Sequence, residues 1–170
     1  AREKRRKANE LTEQFLRSAF LEMFGDPVTN PKGWGISSMG DVADVKSGFA
    51  FKSKDYQERG IRLVRIANFA DSSLGFSEDS VCLPDEYAKE YKEFLLKEHD
   101  VLIAMSGATT GKIGFVATEN LPCLLNQRVG RFSIVNEEKL AARYLFHFLL
   151  RPSVKKRILE LAGGSAQPNI

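Results

Sequence analysis

Cysteine and histidine are scarce in this chain: Cys82 and Cys123 are the only thiols and His99 and His147 the only imidazoles among 170 residues. Two cysteines far apart in sequence spell neither a disulfide framework nor a zinc motif, so buried, reduced thiols are expected. No apolar run reaches the roughly 18 to 20 residues that a bilayer-spanning helix needs, and the N-terminus lacks the apolar stretch of a secretion signal. A cytoplasmic location is the resulting expectation. The chain also lacks an Asn/Asp-Pro-Pro-Tyr/Phe methyltransferase motif and a carboxylate cluster with an adjacent lysine of nuclease type.

A phosphate-binding loop is absent too, although residues 101–118 come close to one. Such a loop places four residues between its glycine and the Gly-Lys pair, then Ser or Thr, then a helix whose N-terminus faces the phosphates. Here Gly107 and Gly111 enclose three residues, and Ile113 follows Lys112. Downstream, Ile113, Phe115 and Ala117 alternate with Gly114, Val116 and Thr118, which is a strand pattern. The expectation is a hairpin whose turn carries Ser106, Thr109, Thr110 and Lys112.

What is present is length and apolar content for one core, with 43% hydrophobic residues, and an uneven distribution of a small net charge of +3. Residues 1–7 hold five cations against Glu3, and residues 46–65 hold six cations against Asp55 and Glu58. Residues 71–100 run the other way, with nine acids against three lysines. A chain polarised in this way presents either a basic face to an anionic partner or solvated charge on opposite sides.

Residues 1–24 read as one helix, since Leu11, Phe15, Ala19, Phe20, Met23 and Phe24 recur at three- and four-residue spacing without Gly or Pro. That helix starts without a capping residue, as a piece cut from within a longer helix would. Asn30 to Gly35 is turn-rich, with Trp34 expected to pack where the helix meets the domain. Short strands separated by turns follow from about 36 to 135. They include a half-buried strand over 61–66 carrying Arg62 and Arg65, a buried strand over 101–104 and a strand over 124–134; a short helix is expected at 85–95. Residues 140–150 and 154–162 read as helices, broken at Arg151-Pro152 and stopped at Gly163-Gly164.

Several pieces occur together in the order of a known family. They are Phe20-Leu21-Glu22-Met23-Phe24-Gly25-Asp26-Pro27, Asn30-Pro31-Lys32-Gly33-Trp34, Val45-Lys46-Ser47-Gly48 and Gly60-Ile61-Arg62-Leu63-Val64-Arg65-Ile66. The apolar strand with Ser106-Gly107-Ala108-Thr109-Thr110-Gly111-Lys112, then Leu125-Asn126-Gln127-Arg128, Tyr144-Leu145 and the closing 163–170 complete the series. In these motifs the chain resembles the target recognition domain of a type I restriction-modification specificity subunit. The resemblance implies an α+β fold: a compact, β-rich recognition domain of twisted, double-β-helix-like strands, with a long N-terminal helix and a C-terminal helical hairpin. It implies the end of a conserved coiled-coil spacer helix at 1–25, the recognition domain at 26–164 and the start of a second conserved helix at 165–170.

It also implies a non-catalytic subunit that reads one half of a bipartite sequence in double-stranded DNA. Modification subunits methylate adenine N6 with S-adenosylmethionine and restriction subunits use ATP, so no cofactor is expected on this chain itself. Specific binding needs phosphate contacts for register and side chains that reach base edges. Lys46, Lys52, Lys54 and Lys112 suit the first task; Arg62, Arg65, Gln127 and Arg128 suit the second, as arginine pairs with guanine and glutamine with adenine. Arg62 and Arg65 equally suit pairing with the acids of 71–100, and Thr109 and Thr110 suit either closing the hairpin or touching DNA. Leu11, Phe15, Phe20 and Phe24 are the candidate interface to partner subunits. ATP binding tests the excluded alternative: equilibrium dialysis should show no retention of ATP, and retention that is lost on Lys112→Ala would restore the nucleotide loop.

Overall fold

The computed structural model describes residues 2–70 and 72–163, and these divide between two units, 1–37 and 38–170. The first unit is dominated by α1 (Arg2–Phe24). On its exposed surface Arg6 Nη1 meets Glu10 Oε1 at 3.0 Å one turn away, a pairing that stabilises a helix by only about 0.3–0.5 kcal/mol. The end of the helix is more heavily built. Gly25 adopts φ +78° and its N–H donates to Leu21 O at 2.8 Å, the left-handed closure that glycine makes without a Cβ penalty. Lys32 Nζ then donates to Glu22 O at 2.6 Å and Met23 O at 2.9 Å, and the Trp34 indole N–H to Phe24 O at 2.9 Å. Three last-turn carbonyls thereby gain donors, one of them cationic and so favourable at the negative end of the helix dipole. Within this unit the Trp34 ring is 57% exposed and held by its indole N–H.

The second unit begins with α2 (Met39–Val42) and contains nine strands among the described residues. These are β1 (Ala43–Ser47), β2 (Ile61–Val64), β3 (Phe69–Ala70), β4 (Ser73–Leu74) and β5 (Cys82–Leu83), followed after α3 (Tyr87–Glu90) by β6 (Val101–Ala104), β7 (Ile113–Phe115), β8 (Cys123–Leu125) and β9 (Val129–Ile134). Two helices close it, α4 (Ala142–Leu149) and α5 (Pro152–Leu161). A six-stranded sheet has the order β1-β9-β6-β7-β4-β3 and a three-stranded sheet the order β5-β2-β8, in which β2 and β8 are parallel.

Alternation along the strands sorts the side chains into three apolar layers. Leu102 and Ala104 of β6 join Val64, Cys123, Leu125 and Val129 between the sheets. Val101 and Ile103 point the other way, joining Ile113, Phe132, Leu145 and Leu149 beneath the helices. Ile61, Leu63, Leu83 and Leu124 cover the outer face of the small sheet together with Phe51 and the partly buried Tyr87 and Tyr91. Both cysteines are free and buried, and burial pushes the Cys123 thiol up to about 12, so it stays protonated and inert at neutral pH. Among the described residues no helix is long and apolar enough to cross a membrane.

The strand expected over 124–134 is two strands in two sheets. Asn126 makes the break: it is buried, its Oδ1 accepts the Arg128 N–H at 3.3 Å, and its carbonyl accepts the Val129 N–H at 2.9 Å. The expected strand over 61–66 likewise stops at Val64, because Asn68 Oδ1 takes the Arg65 N–H at 2.9 Å and the chain turns. The short helix over 85–95 is α3 followed by a tight turn at Lys92–Phe94. Pro152 stands in the first turn of α5, where its missing N–H costs nothing, and Gly163 at φ +77° follows the end of that helix.

Gly48 is where β1 leaves the large sheet and crosses the start of the β8–β9 turn. A Cβ there would lie 2.1 Å from Leu125 O and 2.6 Å from the carbonyl carbon of Asn126, both backbone atoms that have no freedom to yield. Gly48→Ala is therefore expected to destabilise the domain by about 1–3 kcal/mol, the usual cost of overpacking. Gly40→Ala, in a helix with nothing within 4 Å of the added carbon, should be neutral or stabilising. Urea unfolding of the two variants measures the difference.

Candidate nucleic-acid interface

Backbone hydrogen bonds gather four separate chain segments at one end of the two sheets. After Gly48, the Phe49 N–H donates to Leu125 O at 3.0 Å and the Gln127 N–H donates to Phe49 O at 3.0 Å. The Asn126 N–H donates to Val64 O at 3.1 Å, which ties the β8–β9 turn to the end of β2 and to Arg65. The Met105 N–H donates to Arg128 O at 3.0 Å, which ties the same turn to the β6–β7 hairpin. These segments, 46–49, 65–68, 105–112 and 126–128, contain Lys46, Arg65, Lys112 and Arg128 and no carboxylate. A surface of this composition raises the local concentration of a polyanion.

Within this end, Gln127 and Arg128 are exposed at the tip of their turn. Lys46 is exposed on β1, directly across the ladder from Arg131. Arg65 is half-buried, with its guanidinium 5.6 Å from the centre of the Tyr56 ring. The hairpin forms as its spacing predicts, antiparallel with Ile103 opposite Ile113, and its turn uses Gly107 at φ +74° and Gly111 at φ +78°. Lys112 is half-buried at the base of that turn, its N–H donating to Thr109 O and its carbonyl accepting from Ala104 N–H, each at 2.9 Å.

Thr110 is 8% exposed and its hydroxyl donates to Gly107 O at 2.7 Å, a bond that closes the turn. The hydroxyls of Ser106 and Thr109 are buried without a hydrogen-bond partner among the described residues. Lys52 and Lys54 are exposed on and beside the tight turn Ser53–Asp55, which follows the buried Phe51 along the outer face of the small sheet.

Arg62 stands apart from the group. It lies near the opposite end of β2, where its Nη2 donates to Glu119 O at 3.1 Å and Leu121 O at 3.3 Å and its guanidinium sits 4.8 Å from the centre of the Phe76 ring. These partners are two carbonyls and a ring, not carboxylates. A separate groove is lined by Lys92, Glu93, Lys97, Glu98, Asp100 and Arg131, a mixture of signs without the bias of the cationic end. Burial raises the Asp100 carboxyl above its ordinary range, even with Arg131 Nη1 at 3.7 Å. Among the described residues no three His, Cys, Asp or Glu side chains are grouped to hold a metal ion.

Sequence inspection overlooked Phe49 and Asn126. Phe49 is 37% exposed at the cationic end, packed on Phe51 and Tyr91 with ring centres 5.0 and 4.7 Å away. Its signal was the Lys46-Ser47-Gly48-Phe49 run, where a glycine before an aromatic marks a close crossing. Asn126 stood in the Leu125-Asn126-Gln127-Arg128 motif, but nothing in that run marks it as the residue that breaks the strand. In the first unit Leu11 and Phe15 are 57% and 70% exposed, whereas Phe24 is half-buried and Phe20 is 6% exposed.

Residues 31–170 match the model of the type I restriction modification DNA specificity domain. The chain is 33% identical over 143 residues to the type I restriction enzyme MjaVIII specificity subunit of Methanocaldococcus jannaschii, covering 82% of this chain and 33% of that protein. It is also 33% identical over 109 residues to the EcoAI specificity subunit of Escherichia coli, covering 62% of this chain and 18% of that protein. The chain thus spans a third or less of these curated relatives. Its fold is that of the HsdS subunit from Thermoanaerobacter tengcongensis, with TM-score 0.55 and 22% identity over 91% of this chain and 37% of that one. The S subunit from M. genitalium gives TM-score 0.53 and 14% identity over 79% and 30%.

The contacts of Arg62 and Thr109 lead to opposite expectations for stability. Arg62→Ala strips two carbonyls of a charged donor and should cost about 1–3 kcal/mol in urea unfolding. Thr109→Val replaces an unpartnered buried hydroxyl with a methyl of the same shape and should leave stability unchanged or raise it by up to about 1 kcal/mol. A loss on Thr109→Val would show that this hydroxyl has a partner that matters.

Proposed function

Because the chain belongs to the type I restriction modification DNA specificity domain family, we propose that it recognises one half of a split target in double-stranded DNA through the cationic end of its second unit. In doing so it directs the adenine-N6 methyltransferase and restriction subunits of a type I system and carries out no chemistry itself. S-adenosylmethionine and ATP belong to those partners. The observation that carries this is the convergence of Lys46, Arg65, Lys112, Gln127 and Arg128 from four segments without a single carboxylate. Such a surface supports both tasks of sequence-specific binding: lysines engage the phosphates, while Gln127 and Arg128, exposed at a tip, enter a groove and meet base edges. Arg62, near the other end of β2, is better suited to holding the 118–121 turn than to reading a base.

Methylation of adenine requires the base to leave the stack, so the recognition domain has to grip DNA while a partner flips the base. One module buries roughly 600–1,000 Å², which gives modest affinity alone. The exposure of Leu11 and Phe15, one helical turn apart on α1, favours a second role for the same chain as an assembly module. Leu11→Ala with Phe15→Ala should then weaken capture of the modification subunit, and unchanged capture would remove this stretch from the interface.

Binding measured against a panel of single-base target variants separates the roles at the cationic end. Gln127→Ala or Arg128→Ala should cost about 1–3 kcal/mol and relax preference at one base position. Lys46→Ala or Lys112→Ala should weaken all sequences alike and reduce the slope of log affinity against log salt by about 0.9. Long-read mapping of methylated adenines, with this chain replaced in a complete system, tests the function itself. A methylated motif unchanged in both halves would overturn it.

A further inference from the structure

Helix α5 brings a second set of cations to the hairpin that carries Lys112. A Cβ added to Gly111 would lie 3.2 Å from Leu159 Cδ2 and 3.6 Å from Ile158 Cγ2, so α5 packs directly against the turn next to Lys112. Val154 and Ile158 anchor the helix in the layer beneath the large sheet, and this leaves Lys155, Lys156 and Arg157 exposed. Lys155 stands one helical turn before Leu159, on the stripe that meets the hairpin, because residues four apart share a face. Glu160 partly neutralises the other two, with Lys156 Nζ at 4.0 Å and Arg157 Nη1 at 3.4 Å. Lys155 has no carboxylate within 4.0 Å among the described residues.

We propose that Lys155 of α5 is a further DNA-phosphate contact, which extends the cationic surface from the Lys112 turn onto the C-terminal helix. The inference rests on the DNA-recognition function proposed above and adds an element that contributes only to grip. A helix side chain lying beside the hairpin reaches the sugar-phosphate backbone next to the bases that Gln127 and Arg128 would read. Lys155 therefore sets register and affinity, while sequence preference comes from the turn.

Fluorescence anisotropy of the full chain with a mixed-sequence duplex, over a series of salt concentrations, tests this without any partner subunit. Lys155→Gln should reduce the slope of log affinity against log salt by about 0.9, so that the affinity lost between 50 and 200 mM salt shrinks by about 3.5-fold. Lys139→Gln, an exposed lysine in the loop between β9 and α4, supplies the control for net charge and should leave the slope unchanged. Circular dichroism melting confirms that both variants remain folded. An unchanged slope for Lys155→Gln, or equal losses for the two variants, overturns the inference while leaving the DNA-recognition function in place. A wild-type chain with no salt-dependent binding to any duplex would overturn that function, and the Lys155 contact with it.

Discussion

The crossing of two backbones at Gly48 and the β8–β9 turn is the constraint on which the second unit depends. β1 belongs to the large sheet and β8 to the small one, and the chain following β1 bonds to the end of β8 through Phe49 and Leu125. The approach is so close that a single added carbon would fall far inside van der Waals contact with a carbonyl oxygen. A buried asparagine completes the joint, since Asn126 supplies both a backbone donor to Val64 and a side-chain acceptor for Arg128. Buried peptide groups that leave a ladder need partners elsewhere, and here each sheet provides them for the other.

The same joint explains why cations accumulate at this end. Strands that finish together expose their turns together, and turns tolerate charged and polar residues that the apolar layers exclude. Lys46 is exposed one residue before the end of β1, Arg65 begins a turn, and Gln127 and Arg128 occupy the tip of another. The groove lined by Glu93, Glu98, Asp100 and Arg131, by contrast, mixes signs, and there Asp100 lies 3.7 Å from the Arg131 guanidinium. The basic run of 46–65 and the acidic run of 71–100 are thus separated only in part by the fold. Arg62 turns inward to carbonyls, and Lys52 and Lys54 stay on the outer face of the small sheet.

Local patterns made much of the architecture legible. The α1 spacing, the strand at 101–104, the hairpin at 101–115 and the helix break at Pro152 all follow from periodicity and from Gly or Pro at the right place. Legibility failed where a polar side chain substituted for the ladder. Asn126 and Asn68 bond to nearby backbone and end strands at runs, 125–129 and 65–68, that hold no Gly or Pro to mark a turn. Of the candidate site, the identity of the side chains was visible but their grouping was not. Arg62 and Arg65 are three residues apart with similar chemistry, yet they occupy different ends of β2 because the strand stops between them.

By itself the sequence determined the elements, the absence of a phosphate-binding spacing between Gly107 and Lys112, and the order of motifs that marks the family. These properties are carried by residues near one another along the chain, where spacing and turn chemistry act directly. Tertiary structure alone decided which charges share a surface and that α5 meets the Lys112 hairpin. Each of those facts depends on segments far apart in sequence being brought within hydrogen-bonding or van der Waals distance. Pattern along the chain carries no term for that distance until the sheets have paired and packed.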